Sequence, residues 1–319
     1  MAGHRKEPLP TNPRVLRWAR ETAGRSPEEA AEHLKVAAAK IARWETPDEV
    51  RPTVGQARKL ADYYGRSFLE LFLPDPPDLK EPELIPDFRL YREADDPNDS
   101  RVMKEVQLWA EAKRTDAIDL YDELVEKPNT VPKSILASIK DDEEKLAEAV
   151  REAIEFPIEM QVGLPTNART AIPTMIRERI ETLGIITLRR SDLRAYGVRG
   201  FCITDSVLPI IVFASESPNA QAFTLGHELA HVLIQQSAIS GPIPRRGGRA
   251  EVRAIEEWCD RFSAAFLMPK SAVVVRMNGA PLPNRTISDE NLGAVADYFG
   301  VSRHAMLIRL MHLGFVPMR

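Results

Sequence analysis

His227-Glu228-Leu229-Ala230-His231 sets two imidazoles four residues apart. On a helix that spacing puts both rings on one face, where they can reach a single metal ion. Glu228 lies too far around the helix to join them, but it can accept a proton from a water on that ion. Two nitrogens and an adjacent carboxylate on a rigid helix suit a catalytic zinc. Such a zinc keeps one position open and takes three protein ligands, so a third must come from elsewhere. Downstream, Glu256 and Asp260 form a second i, i+4 pair in a helical stretch closed by Pro269. The economical assignment places Glu256 on the metal and Asp260 behind it, bonded to the far nitrogen of a histidine ligand. Glu257 is the competing ligand and Cys259 a lesser one. Cys259 falls on the apolar stripe with Ile255, Phe262 and Phe266, so it is assigned to the core. Hydrolysis also needs a donor for the developing oxyanion. His304, His312 and Tyr298 are available, and the order of residues does not choose among them.

These side chains need elements to hold them. Ser217-Pro218 reads as N-cap and first residue of a helix that carries the histidines to about Gln235. Three short β-branched runs precede it, Ile185–Leu188, Gly200–Thr204 and Leu208–Phe213, and read as strands of one small sheet. A helix over Thr166–Glu181 comes before the strands. After the histidines the pattern is helical to the end, with breaks at 238–249 and 278–287. Ser237–Arg249, between the two metal-bearing helices, is rich in Gly, Pro and Arg and reads as a connecting loop, with a lid as the alternative.

The N-terminal 73 residues read as a separate helical unit. Ser26, Pro27 and Glu29 open one helix with a capping box, and Thr53 with Gln56 caps another. Two short helices, ending near His33 and starting at Ala38, are joined by a tight turn in a helix-turn-helix pattern. Lys35, Lys40 and Arg43 are candidate phosphate contacts. The second helix opens on Ala37-Ala38-Ala39, where polar base-reading side chains are usual. Alanine offers a base at most a contact with a thymine methyl. Residues 99–126 and 141–154 read as charged helices, and 78–98 as a Pro- and Asp-rich linker.

Composition bounds the rest. The 319 residues are 44% apolar and 28% charged, ordinary for a globular protein and enough for two domains. No window of 18 uncharged apolar residues exists, so no membrane span is expected. The N-terminus lacks an apolar signal segment, and Cys202 and Cys259 are the only cysteines. The expectation is a cytoplasmic protein with reduced thiols. The net charge of −4 divides unevenly: +3 over residues 1–73, −12 over 74–160 and +5 over 161–319. A charge of +3 gives only a modest field for nucleic acid.

Two resemblances follow from these residues. Ala30, Leu34 and Val36 around the turn, Ile41-Ala-Arg-Trp44-Glu45, and Pro52-Thr53 followed by Leu60-Ala61-Tyr64 resemble the XRE (lambda-repressor-like) helix-turn-helix family. The chain departs from it at Lys35, where the turn usually carries Gly, and at the three alanines. Phe223-Thr-Leu-Gly-His227-Glu-Leu-Ala-His231 and Glu256…Asp260-Arg-Phe262-Ser-Ala-Ala-Phe-Leu267-Met-Pro269 resemble the ImmA/IrrE family of metallopeptidases. The second resemblance implies zinc ligands His227, His231 and Glu256, with Glu228 as catalytic base. Manganese in the same site is the alternative cofactor. It implies a fold class of α+β, mostly helical: a five-helix lambda-repressor-like domain, then a small gluzincin-like peptidase domain of helices plus one three-stranded sheet. The boundaries are 1–75, an acidic linker and helical segment over 76–155, and 156–319. The implied function is a zinc-dependent endopeptidase that cleaves a specific protein, an XRE-type repressor, in a stress or mobile-element response. DNA through residues 1–73 and a second copy of the chain are further partners that this reading allows. The alternative is a DNA-binding regulator or antitoxin-like protein whose peptidase domain senses or docks.

Overall fold

The computed structural model describes residues 9–77, 97–204, 207–240, 250–278 and 286–317. Nearly all of the expected linker (78–96) and most of the loop before Ala250 (241–249) lie outside the described residues. The described residues up to Asp116 form one compact unit, and those from Ala117 onward form another.

Four helices open the first unit: α1 (Pro13–Thr22), α2 (Pro27–Leu34), α3 (Ala38–Trp44) and α4 (Val54–Tyr64). The first N–H groups of a helix have no partner inside it, and side chains supply one. The Asn12 side chain accepts from the Arg14 amide at 3.0 Å. Ser26 accepts from the Glu29 amide at 3.1 Å, while the Glu29 carboxylate accepts from the Ser26 amide at 2.7 Å, completing the expected capping box. Lys35 ends α2 in the left-handed conformation, at φ 56°. That backbone suits the glycine usual in this turn, and a residue with a Cβ pays roughly 1–2 kcal/mol for it. The expected fifth helix is a single 3-10 turn, Leu69–Phe72, stopped by Pro74 close behind it. Leu16, Ala30, Ile41, Trp44, Leu60 and Leu71 meet in the core of the unit. A buried two-pronged ion pair joins α1 to the end of α3: Arg20 Nε donates to Glu45 Oε1 at 2.7 Å and Nη2 to Oε2 at 2.8 Å. Helix α5 (Pro97–Glu123) buries Met103, Val106 and Ala110.

The second unit holds α6 (Glu143–Ala153), α7 (Ile158–Val162), α8 (Ile172–Glu181), α9 (Pro218–Leu233), α10 (Ala250–Leu267), α11 (Lys270–Arg276), α12 (Asp289–Phe299) and α13 (Arg303–His312). The helix expected from Thr166 begins as a 3-10 turn and becomes α-helical only at Ile172, just before Pro173. All three expected strands form: β1 (Ile186–Arg190), β2 (Gly200–Ile203) and β3 (Ile210–Ala214). A fourth, β4 (Ala238–Ser240), extends the sheet beyond the three expected. At three residues it is too short to show a period in the sequence. The spatial order is β1-β3-β2-β4, with β1 parallel to β3 and the other pairings antiparallel. Strands β2 and β3 are buried along their whole length, and α9 packs on them.

Helix α10 is held at its C-terminal end by three buried side chains. The last carbonyls of a helix lack partners within it and carry partial negative charge. Arg151 Nη1 on α6 donates to Phe266 O at 2.7 Å, Gln161 Nε2 on α7 to Leu267 O at 2.9 Å, and Arg309 Nε on α13 to Met268 O at 3.0 Å. Burial lowers the Arg151 pKa to about 10, which leaves the guanidinium charged at neutral pH. Along the helix, Trp258 Nε1 donates to Asp141 O at 3.0 Å and Arg261 pairs with Glu143 at 2.6 Å. These bonds fix both the height and the rotation of α10.

Candidate metal centre

Helices α9 and α10 touch where neither has a large side chain. A Cβ on Gly226 would stand 2.7 Å from Ser263 Oγ and 3.4 Å from Ser263 Cα. Only glycine permits that approach. Ser263 Oγ in turn donates to Phe223 O at 2.8 Å, closing the contact. The result brings the acidic pair of α10 up to the histidines of α9.

Three donor groups converge. His227 Nε2 and His231 Nε2 are 3.2 Å apart. Glu256 Oε2 lies 3.4 Å from His227 Nε2, and Glu256 Oε1 lies 3.1 Å from His231 Nε2. Two ligands of a tetrahedral zinc, with bonds of about 2.0–2.1 Å, stand about 3.3 Å apart. The two nitrogens, and each nitrogen with the Glu256 oxygen nearest to it, match that figure within a few tenths of an ångström. Among the described residues these three are the group of metal-binding side chains arranged to hold an ion. All three are buried, Glu256 to 1% exposure. A buried carboxylate facing two nitrogens needs compensating positive charge, and a divalent cation supplies it.

The electrostatics favour a cation at this point. Burial opposes the charge on His227, but its hydrogen bonds with Asp260 and Glu256 outweigh that and hold the imidazole well above its usual pKa. Burial also opposes the charge on Glu256, yet His227 and His231 draw its carboxyl down to about 2. For His231 burial wins and the pKa falls, which favours the neutral ring that a metal requires. Asp260 Oδ1 lies 2.9 Å from His227 Nδ1. With the proton on Nδ1 donated to Asp260, the Nε2 lone pair faces Glu256 and His231.

The remaining residues singled out in the sequence separate clearly. Glu257 is exposed, one residue around α10 from the buried Glu256. Cys259 is in the core, where burial pushes its thiol pKa up, and it is not one of the three converging groups. Glu228 is fully buried and lies against β2. A Cβ on Gly200 would come within 2.7 Å of Glu228 Oε1 and 3.0 Å of its Cγ, so the missing side chain makes room for the carboxylate. A cleft of about 970 Å³ opens here, walled by His227, Glu228, Glu257, Asp260, His304 and His312. Tyr298 is not in that wall and lies beneath the Arg276 guanidinium, 5.0 Å from its ring centre. In the first unit Lys35, Lys40 and Arg43 are all exposed, with Arg43 paired to Glu49 at 3.0 Å. Gly200, Gly226 and Ser263 escaped the reading of the sequence. Gly226 left one signal there: a glycine inside an apolar helix costs about 1 kcal/mol and usually has a packing reason.

Comparison with known families agrees with this picture. Residues 181–311 match the peptidase family model described as the IrrE N-terminal-like domain. Residues 14–71 match one described as a helix-turn-helix domain. Over these ranges the chain combines a region similar to the IrrE-like peptidase domain with an N-terminal region similar to a helix-turn-helix domain. No curated protein matches it. The peptidase match spans α9 and α10 with all three converging groups, and the helix-turn-helix match spans α2 and α3. Helix α6 lies outside the matched range of the IrrE-like domain, yet it packs closely on α10. Among the described residues no helix is long and apolar enough to cross a membrane.

Proposed function

We propose that the protein is a zinc-dependent endopeptidase acting in the cytoplasm on one specific protein, a helix-turn-helix repressor. His227, His231 and Glu256 hold the metal, for which manganese is the alternative. Zinc bound there supplies Lewis acidity and lowers the pKa of water. Glu228 takes a proton from the attacking water and hands it to the leaving amine. Its place against Gly200, buried in the wall of the cleft, suits that task. Asp260 keeps the His227 proton on Nδ1 and so presents Nε2 to the ion. His304 and His312, in the cleft wall, are the nearer candidates for stabilising the oxyanion. The N-terminal domain, over residues 1–75, binds DNA and directs the enzyme to its substrate. Residues 76–155 connect it to the peptidase domain at 156–319.

The observation that carries this reading is the 3.1–3.4 Å spacing of two imidazole nitrogens and a buried carboxylate. The test is to measure metal content by elemental analysis, then to incubate the protein with helix-turn-helix repressors from the same genome. Wild type is compared with Glu228→Gln, with zinc or manganese added. A single cut made only by wild type supports the proposal. A protein that neither carries nor takes up a divalent metal overturns it.

A further inference from the structure

The cleft beside the converging groups changes character along its length. Helices α9 and α10 run antiparallel there: His231 meets Glu256 at 3.1 Å, His227 meets Asp260 at 2.9 Å, and Phe223 O meets Ser263 Oγ at 2.8 Å. Moving toward the start of α9 is therefore moving toward the end of α10. Residues four apart on a helix share a face, about 5–6 Å from each other. Phe223 lies one turn before His227, while Ala264 and Leu267 lie one and two turns beyond Asp260, all in the cleft wall. Helix α13 adds Ala305 and Ile308, three apart on one of its faces, and Val301 stands just before that helix. Glu257, Asp260 and Arg261 lie at the other end of the α10 wall, beside His227.

One turn from the metal ligands, then, the wall becomes largely apolar. Ala264, Leu267 and Val301 are buried in it, and Phe223 and Ala305 are half-buried. Ile308 is 38% exposed, the one large apolar side chain among the described residues that is both exposed and in the cleft wall. An exposed isoleucine on an open surface is ordinary, but in a concave wall it is a contact that a bound group can cover. A charged side chain entering this stretch would shed water without a partner, whereas an apolar one sheds nothing it needs. A peptide lying in the cleft rises about 3.3 Å per residue, so a side chain next to a carbonyl held at the metal reaches a wall one turn away.

We propose that this apolar stretch receives a large apolar side chain (leucine, isoleucine, methionine or phenylalanine) from one of the two residues joined by the scissile bond, and that Ile308 sets the preference. This rests on the reading of the protein as an endopeptidase, and it adds which bonds that enzyme selects.

The experiment uses the full chain with zinc added. A random peptide library is digested and the cut positions are read by mass spectrometry. Large apolar residues should be enriched at one fixed position beside the cut, and replacing leucine by alanine there, a loss of three carbons, should lower kcat/KM about 50-fold. Ile308→Glu should keep its metal yet shift the leucine-to-lysine ratio of kcat/KM by about tenfold or more toward lysine, a change of preference that general damage to the fold would not produce. In parallel, N-acetyl-leucine amide and N-acetyl-alanine amide are titrated into protein with labelled isoleucine methyl groups, the Ile308 signal being the one missing from Ile308→Glu. The leucine amide should shift that signal at lower concentration. Cutting with no apolar preference, or with the same preference in Ile308→Glu, overturns the pocket and leaves the peptidase standing. No cutting, with the Ile308 signal shifted by the leucine amide, overturns the peptidase and leaves an apolar side-chain pocket. No cutting and no shift overturn both.

Discussion

Removing the acidic groups of α10 one at a time tests which of them would hold a metal and which would only support it. Glu256 is 1% exposed, with its two oxygens 3.1 and 3.4 Å from the two histidine nitrogens. Glu256→Ala deletes one member of a buried charged cluster, an event worth about 3–5 kcal/mol. At about 1.4 kcal/mol per decade, metal affinity should drop by about 10²–10⁴-fold. Asp260 touches His227 Nδ1, at 2.9 Å, so under the proposed assignment it would reach a bound ion only through that ring, and its side chain is 36% exposed. Water can replace part of what it supplies, so Asp260→Ala should cost about 10–100-fold, toward the lower end. Glu257 is exposed in the cleft wall and is not one of the three converging groups, so Glu257→Ala should leave affinity within about twofold. The assay is competition with a chromogenic chelator on all three variants, with thermal unfolding of each to confirm that it folds. If Glu257→Ala loses the metal and Glu256→Ala keeps it, the rotation of α10 described above is wrong and the assignment fails with it.

Other outcomes follow from the same contacts. Glu228→Gln should retain metal at the wild-type ratio while peptide cleavage falls by about 10²–10⁴-fold, since it removes a proton carrier and not a ligand; loss of metal would contradict that role. Gly200→Ala puts a methyl 2.7 Å from Glu228 Oε1 and should displace the carboxylate by about 1 Å, lowering cleavage about 10²-fold with metal content unchanged. Wild-type cleavage in that variant would show the Glu228 position to be unimportant. Gln161→Leu strips a donor from the carbonyls of Leu267 and Phe299, which it bonds at 2.9 and 2.8 Å. At about 1–3 kcal/mol per unsatisfied buried group and about 2–4 °C per kcal/mol, scanning calorimetry should show a fall of several degrees in the second unit. Zinc added to stripped protein at 100 times its Kd should stabilise the fold by about 2.7 kcal/mol, visible as a rise in Tm; no rise would argue against a site in the folded state.

What the sequence determined by itself was set by local geometry. Two histidines four apart on a helix share a face wherever that helix sits, so the pair on α9 was legible from spacing alone. The caps at Ser26 and Thr53 and the two short helices of the N-terminal unit were legible for the same reason, because each depends on residues within a few positions. The pairing of Glu256 with Asp260 was also local, but their direction was not. The tertiary structure decided that, because α10 could have met α9 at any rotation. Gly226 and Ser263 set the approach, and Arg151, Gln161, Arg309, Trp258 and Arg261 hold the helix so that Glu256 is buried and Glu257 exposed. The nest for Glu228 at Gly200 and the fourth strand at Ala238–Ser240 likewise rest on contacts between residues nearly thirty or more positions apart. Periodicity and capping carry no trace of such contacts, because the partners share no turn of helix and no strand. They appear only when the chain has packed.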